Sequence, residues 1–105
     1  ELTERGEGVY QKNCVACHQM NGEGLPPIFP ALAGSNIVMF DKNRNVEILM
    51  EGVQGAAMQS FANQLSEVDM AAVITYTRQA WGNAENGDGE YVVPSNIVEY
   101  KKPKI

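Results

Sequence analysis

The chain of 105 residues is long enough for one domain and too short for two of ordinary size. Ten Gly and five Pro beside a modest content of Leu, Ile, Val and Phe describe a loop-rich domain whose small core is completed by something other than side chains. A formal charge of −5 argues against nucleic acid and suits a partner presenting Lys or Arg, and no apolar run approaches the roughly 18–20 residues of a membrane span.

Residues 3–14 read as a short helix capped by Thr3. Gly6 and Gly8 lower its propensity, and a small residue there permits close approach of another helix. Residues 19–36 form a long loop: Asn21-Gly22-Glu23-Gly24 and Leu25-Pro26-Pro27 are turn chemistry, and Pro30 blocks helix again. A loop of that length in a small domain is functional or wraps a cofactor. Residues 43–52 read as an amphipathic helix with Val46, Leu49, Met50 and Val53 inward and Gly52 as its stop. A small-residue loop follows, Gly55-Ala56-Ala57-Met58-Gln59-Ser60.

The strongest helical pattern covers 67–81, where Ser66 and Asp69 resemble a capping box and Met70, Val73, Ile74, Thr77 and Trp81 repeat at helical spacing. Gly82-Asn83 ends it. Residues 84–105 read as a C-terminal extension, Gly-rich, then extended through Tyr91-Val92-Val93-Pro94, then basic at Lys101, Lys102 and Lys104; it is packed on the domain or disordered. With no hairpin pattern, the expected class is all-α: three to five helices with long loops, residues 1–83 forming the domain. The start at Glu1, with no signal-like stretch, reads as a mature or excised product.

Chemistry concentrates at Cys14-Val15-Ala16-Cys17-His18. Two thiols separated by two residues match the spacing of the two haem vinyl groups, to which they add as thioethers, and the adjacent His reaches the iron from the same side. A structural zinc site takes four Cys or His ligands, and the chain has three such residues. A thioredoxin-like redox pair wants a βαβ context, and a plain disulfide gives His18 no role. One haem c is therefore expected, covalent through Cys14 and Cys17, with His18 on the iron.

His18 is the only histidine, so the sixth ligand is Met, Lys, a small molecule or nothing. Five methionines compete. Met20 is too near His18 to reach the opposite haem face, and Met50 and Met70 sit on inward helix faces as core filler. Met39 lies in the apolar cluster Ile37-Val38-Met39-Phe40. Met58 follows small side chains that let backbone approach a flat cofactor; it is the expected ligand, with Met39 the runner-up. A proximal His gives its other ring nitrogen to a carbonyl, for which Pro30 is the candidate. Periodicity nominates Leu32, Ile37, Phe40, Leu49, Val53, Phe61 and Leu65 as cofactor walls, and the Gln19–Leu25 and Gly55–Phe61 loops are expected to rim the exposed haem edge near the thioethers. Tyr76 and Trp81 are expected at a helix interface rather than on the haem.

These residues resemble class I cytochrome c: an N-terminal helix, Cys-x-x-Cys-His, a Pro-containing loop, a Met strap and a C-terminal helix, matched nearly to Asn83. Gly6 and Tyr10 resemble that family's helix-contact glycine and aromatic, with Val73 and Tyr76 as counterparts, and Pro30-Ala31-Leu32-Ala33-Gly34 resembles the loop supplying the His-orienting carbonyl. More narrowly, Gly24-Leu25-Pro26-Pro27-Ile28-Phe29-Pro30-Ala31-Leu32-Ala33-Gly34-Ser35, Ala72-Val73-Ile74-Thr75-Tyr76-Thr77-Arg78 and Ala80-Trp81-Gly82-Asn83 are similar to the cytochrome c domain fused to subunit II of some bacterial haem–copper oxidases. The Cys and His of that subunit's dinuclear copper site are absent, so the resemblance implies an excised domain or a free relative.

The resemblance implies an electron carrier rather than an enzyme, with His18 and Met58 on the iron. Its partners would be redox proteins: a donor cytochrome or reductase and an acceptor oxidase or copper centre in a respiratory chain. It implies a monomer in the periplasm or on the extracytoplasmic face of the bacterial inner membrane. Ionic strength is expected to change the rate with a basic partner. Two alternatives are a five-coordinate haem peroxidase or gas sensor, for which Arg44 and Arg78 are the only central arginines, and a docking module using the lysine tail.

Overall fold

The computed structural model describes residues 2–56 and 58–102. Among them lie seven helices and no strand: α1 (Leu2–Asn13), α2 (Val15–His18), α3 (Asn36–Phe40), α4 (Lys42–Glu51), α5 (Glu67–Gln79), α6 (Asn83–Asn86) and α7 (Pro94–Lys101). The all-α class agrees with the sequence, but the helices outnumber the three to five expected. The extra ones are short, and four or five residues cannot display a helical period. Lys104 of the basic tail and Ala57 of the small-residue loop lie outside the described residues.

The principal packing is the crossing of α1 and α5. Gly6 makes it possible: a Cβ there would stand 1.9 Å from the Ala72 carbonyl oxygen and 2.7 Å from the Tyr76 Cβ. One turn later Tyr10 is buried, its ring 5.4 Å from that of Tyr76 and 5.3 Å from that of Trp81. Tyr76 and Trp81 thus fill a helix interface, as expected. Aromatic pairs at such separations add to simple burial.

Caps set the other boundaries. The Ser66 hydroxyl accepts from the Asp69 N–H at 3.1 Å, opening α5 as expected. Asp41 does the same for α4, accepting from the Arg44 N–H at 3.1 Å, so that helix starts earlier than residue 43. Thr3 does not cap α1; the helix begins at Leu2, and Thr3 lies within its first turn.

Residues 84–102 pack along α5 on the side away from α1. Val92 and Ile97 have no exposed surface, and the Thr75 hydroxyl both donates to the Val92 carbonyl (2.7 Å) and accepts from the Val92 N–H (2.9 Å). α7 has Pro94 in its first turn and Ile97 as its one buried residue, which is why no amphipathic pattern announces it.

Candidate cofactor site

The motif residues sit on one helical turn. The Cys14 N–H donates to the Tyr10 carbonyl, and the His18 N–H donates to the Cys14 carbonyl, both at 2.9 Å, so α2 follows directly on α1. Cys14 and Cys17 are free thiols, each half-buried. Burial first, and the neighbouring Cys17 second, push the Cys14 thiol up to about 11. His18 Nδ1 lies 3.0 Å from the Pro30 carbonyl oxygen. A carbonyl only accepts, so Nδ1 carries the proton and Nε2 keeps the lone pair that a metal requires.

The loop carrying Pro30 is tied down from several directions. The Leu32 and Ala33 N–H groups both donate to the Gly22 carbonyl, at 2.7 and 2.9 Å. The Asn83 amide is 1% exposed; it donates to the Leu32 carbonyl (3.1 Å) and the Thr77 carbonyl (2.8 Å) and accepts from the Gly34 N–H (2.8 Å). Trp81 Nε1 donates to the Met20 carbonyl at 3.0 Å, and the Tyr10 hydroxyl to the Gln19 carbonyl at 2.7 Å. In the sequence Asn83 stands only as part of a helix stop; its role here depends on three groups brought together by the fold.

Across the cleft, Gly52 closes α4 with φ +74°, and the chain turns into the loop bearing Met58. A Cβ at Gly52 would come 2.8 Å from the Met58 carbonyl oxygen, a crowding that adds to the left-handed backbone requirement. The Val53 N–H donates to the Met58 carbonyl, and the Phe61 N–H to the Leu49 carbonyl, both at 2.9 Å. The Ser60 hydroxyl donates to the Met50 carbonyl at 2.5 Å.

Cys14, Cys17, His18, Pro30, Leu32 and Met58 all line this one cleft. Of the nominated walls, Leu32, Ile37, Leu49, Val53 and Phe61 line it. Phe40 and Leu65 do not: Phe40 is turned out to solvent, and Leu65 packs on the core behind. The rim also differs from expectation, since residues 28–32 border the cleft where 19–25 do not. Ile28, Phe29, Val38 and Ile48 are lining residues that periodicity did not single out, and Val73, Ile74 and Thr77 of the α5 repeat line the cleft as well.

Among the methionines only Met58 lines the cleft. Met39 is buried on the far side of α3, where Gly87 approaches it closely enough that a Cβ would stand 2.6 Å from the Met39 Cβ. No Asp, Glu, Lys or Arg is among the described lining residues. Among the described residues no acidic side chain lines the cleft, so net charge would steer a partner only from outside the lining. An uncharged, largely apolar slot with two free thiols on one edge and a lone-pair nitrogen facing it fits a flat apolar macrocycle held covalently.

Helical shell, paired thiols and oriented imidazole define a covalent-haem carrier. A family model described as "Cytochrome C oxidase, cbb3-type, subunit III" matches residues 1–76. Cytochrome c-552 of Thermus thermophilus is 36% identical over 92% of this chain and 82% of its own length. The cytochrome c subunit of the alcohol dehydrogenase (quinone) of Gluconobacter oxydans is 34% identical over 78% of this chain, which spans 19% of that subunit. Among solved structures, cytochrome cL from Hyphomicrobium denitrificans superposes with a TM-score of 0.57 at 26% identity, over 74% of this chain and 46% of its own. The chain belongs to the cytochrome c family. It is an electron carrier whose cofactor is covalent haem c. Cytochrome c domains of this kind are extracytoplasmic, and no helix among the described residues is long and apolar enough to cross a membrane.

Proposed function

We propose that the haem is attached through Cys14 and Cys17, ligated by His18 and Met58, and relays electrons to or within a terminal-oxidase respiratory chain at the outer face of a bacterial inner membrane. The observation that carries the reading is geometric: His18 is oriented by the Pro30 carbonyl at 3.0 Å, while Met58 is the one methionine lining the same cleft. When bound, the haem supplies a one-electron Fe(II)/Fe(III) couple. Pro30 holds His18 in one tautomer and orientation. Met58 would hold the iron through its thioether, a ligand that favours the reduced state. Leu32, Leu49, Val53 and Phe61 keep water away, which disfavours the extra charge of the oxidised form in the same direction.

Residues 28–32 leave the cleft mouth bordered by apolar side chains, with Ile28 73% exposed. Electrons enter and leave there, through a small, short-lived contact with a redox partner. The oxidised holoprotein should show the weak long-wavelength sulfur-to-iron charge-transfer band of Met ligation. A high-spin spectrum lacking that band contradicts the His18/Met58 assignment and reopens the peroxidase or sensor reading.

The oxidase assignment rests on the narrower sequence resemblance. Likeness to the cytochrome c subunit of a quinone-type alcohol dehydrogenase favours a second reading, a relay that takes electrons from a dehydrogenase. Stopped-flow mixing separates them: rapid oxidation of the ferrous protein by a haem–copper oxidase supports the first, and rapid reduction by a quinoprotein dehydrogenase with no oxidase reaction supports the second.

A further inference from the structure

Arg78 has no part in the site as described, yet it is 1% exposed, on α5, one residue from the lining residue Thr77. Burying a guanidinium is costly unless every donor is used. Here Nε donates to the Glu90 carbonyl (2.8 Å), one terminal nitrogen to the Val38 carbonyl (2.9 Å), and the other reaches the Met39 carbonyl (3.5 Å) and pairs with the Asp88 carboxylate. A hydrophobic side chain could fill the same space at less cost, so packing alone does not account for an arginine.

The partners belong to two separate segments. Val38 and Met39 lie on α3, a five-residue helix too short to hold itself together, and theirs are among its C-terminal carbonyls with no partner inside the helix, Val38 also accepting from the Asn45 amide at 3.3 Å. Asp88 and Glu90 lie in the segment after α6. That segment bonds α3 directly as well, the Asp88 N–H donating to the Met39 carbonyl at 3.1 Å. Asp88 is itself fixed, accepting from the Glu90 N–H at 2.9 Å. On its other side α3 presents Ile37 and Val38 to the cleft. Arg78 is therefore a clamp one layer behind the wall, joining the C-terminal segment to the helix that closes the site.

We propose that Arg78, latched by Asp88, is a positioning residue for the redox site: it seats α3 against the cleft, so that residues 84–102 set how dry the cofactor is and how high its potential stands. This rests on the reading that the haem occupies the cleft. A loosened α3 admits water, water stabilises the more highly charged oxidised iron, and the potential falls.

Two variants separate the clamp from simple charge effects. Arg78→Lys keeps the positive charge but loses the planar fork that reaches both segments. Asp88→Ala removes a negative charge, which by charge alone would raise the potential. The clamp requires the midpoint potential of the full-length holoprotein to fall in both. It also requires imidazole to bind the oxidised form about tenfold faster, the effect of losing one hydrogen bond to a charged group on the opening of α3. An unchanged potential and imidazole rate in Arg78→Lys, or a raised potential in Asp88→Ala, overturns the proposal. Should Arg78→Lys fail to fold, Asp88→Ala decides by the sign of its shift. Wild-type protein that shows no c-type haem absorption after haem attachment would instead refute the cofactor reading, independently of either variant.

Discussion

The two walls of the cleft are anchored in different ways. On the His18 side, local bonds such as those of Leu32 and Ala33 to Gly22 are joined by bonds from far along the chain: Asn83 to Gly34 and Leu32 spans 49 and 51 residues, and Trp81 to Met20 spans 61. On the Met58 side, the bonds are local. The Ser60 hydroxyl reaches back 10 residues to Met50, and the Val53 and Phe61 N–H groups bond within the same loop and the end of α4. Opening the first wall requires the α1–α5 frame to yield, whereas the second can detach by unhooking one loop. Local opening follows the weakest set of contacts, so the Met side is the low-stability side of the site.

The largest expected effect comes from removing the proposed Met ligand while leaving the His wall intact. Met58→Ala should keep the haem attached, lose the charge-transfer band, and lower the midpoint potential by on the order of 0.1 V or more, within the roughly 0.8 V that axial ligands span. Met39→Ala should leave the spectrum unchanged. Loss of the band in Met39→Ala instead would assign the wrong methionine.

Asn83→Ala attacks the other wall. It removes the Asn83 partner of the Gly34 N–H and of the buried Thr77 carbonyl, while the Leu32 carbonyl keeps the Ser35 N–H, and should cost about 2–3 kcal/mol of global stability in denaturant unfolding. Because the Gly34 and Leu32 bonds join distant segments, the loss should appear in global unfolding rather than as a local opening. Ser60→Ala should cost less, about 1 kcal/mol, and should show mainly as faster hydrogen exchange at Phe61 and Ala62. Equal global losses from the two variants would erase the distinction between the walls.

The smallest effect is the pH dependence of the α3 clamp. Burial draws the Asp88 carboxyl upward, but the Arg78 hydrogen bond, the Glu90 N–H and the Arg78 charge outweigh it and hold the carboxyl below its ordinary value. A carboxyl with a lowered folded pKa binds its proton more weakly in the native state, so its contribution is complete above the unfolded value of about 3.9 and fades as pH falls below it. The Tm difference between wild type and Asp88→Ala should therefore be constant near neutrality and shrink in acid below about pH 4. A gap that widens in acid would contradict the pairing.

What was legible in the sequence was what short-range pattern can carry. Cys14, Cys17 and His18 are adjacent in a motif; α4 and α5 announce themselves by periodicity and by stops and caps at Gly52 and Ser66. Pro30 and Met58 could be nominated because loop composition and the lone histidine narrowed the choice. Asn83, Arg78 and Asp88 could not be given their roles, since the bonds that join separate segments, Asn83 to Leu32 and Gly34, Arg78 to Val38 and Asp88, reach 10 to 51 residues along the chain and leave no local trace. Phe40 failed for a related reason: in α3, Val38 and Met39 take the buried positions, and an apolar cluster alone does not say which member points outward. The uncharged lining was equally hidden, because net charge says nothing about where the charges fall.

The central claim is that Met58 closes the iron site opposite His18, and proton NMR of the reduced holoprotein tests it most directly. A methionine methyl lying on the iron sits in the haem ring current and resonates far upfield of any ordinary methyl. The account requires one such signal in the wild type, lost in Met58→Ala and retained in Met39→Ala. No upfield methyl in the wild type, or one that survives Met58→Ala, would contradict it.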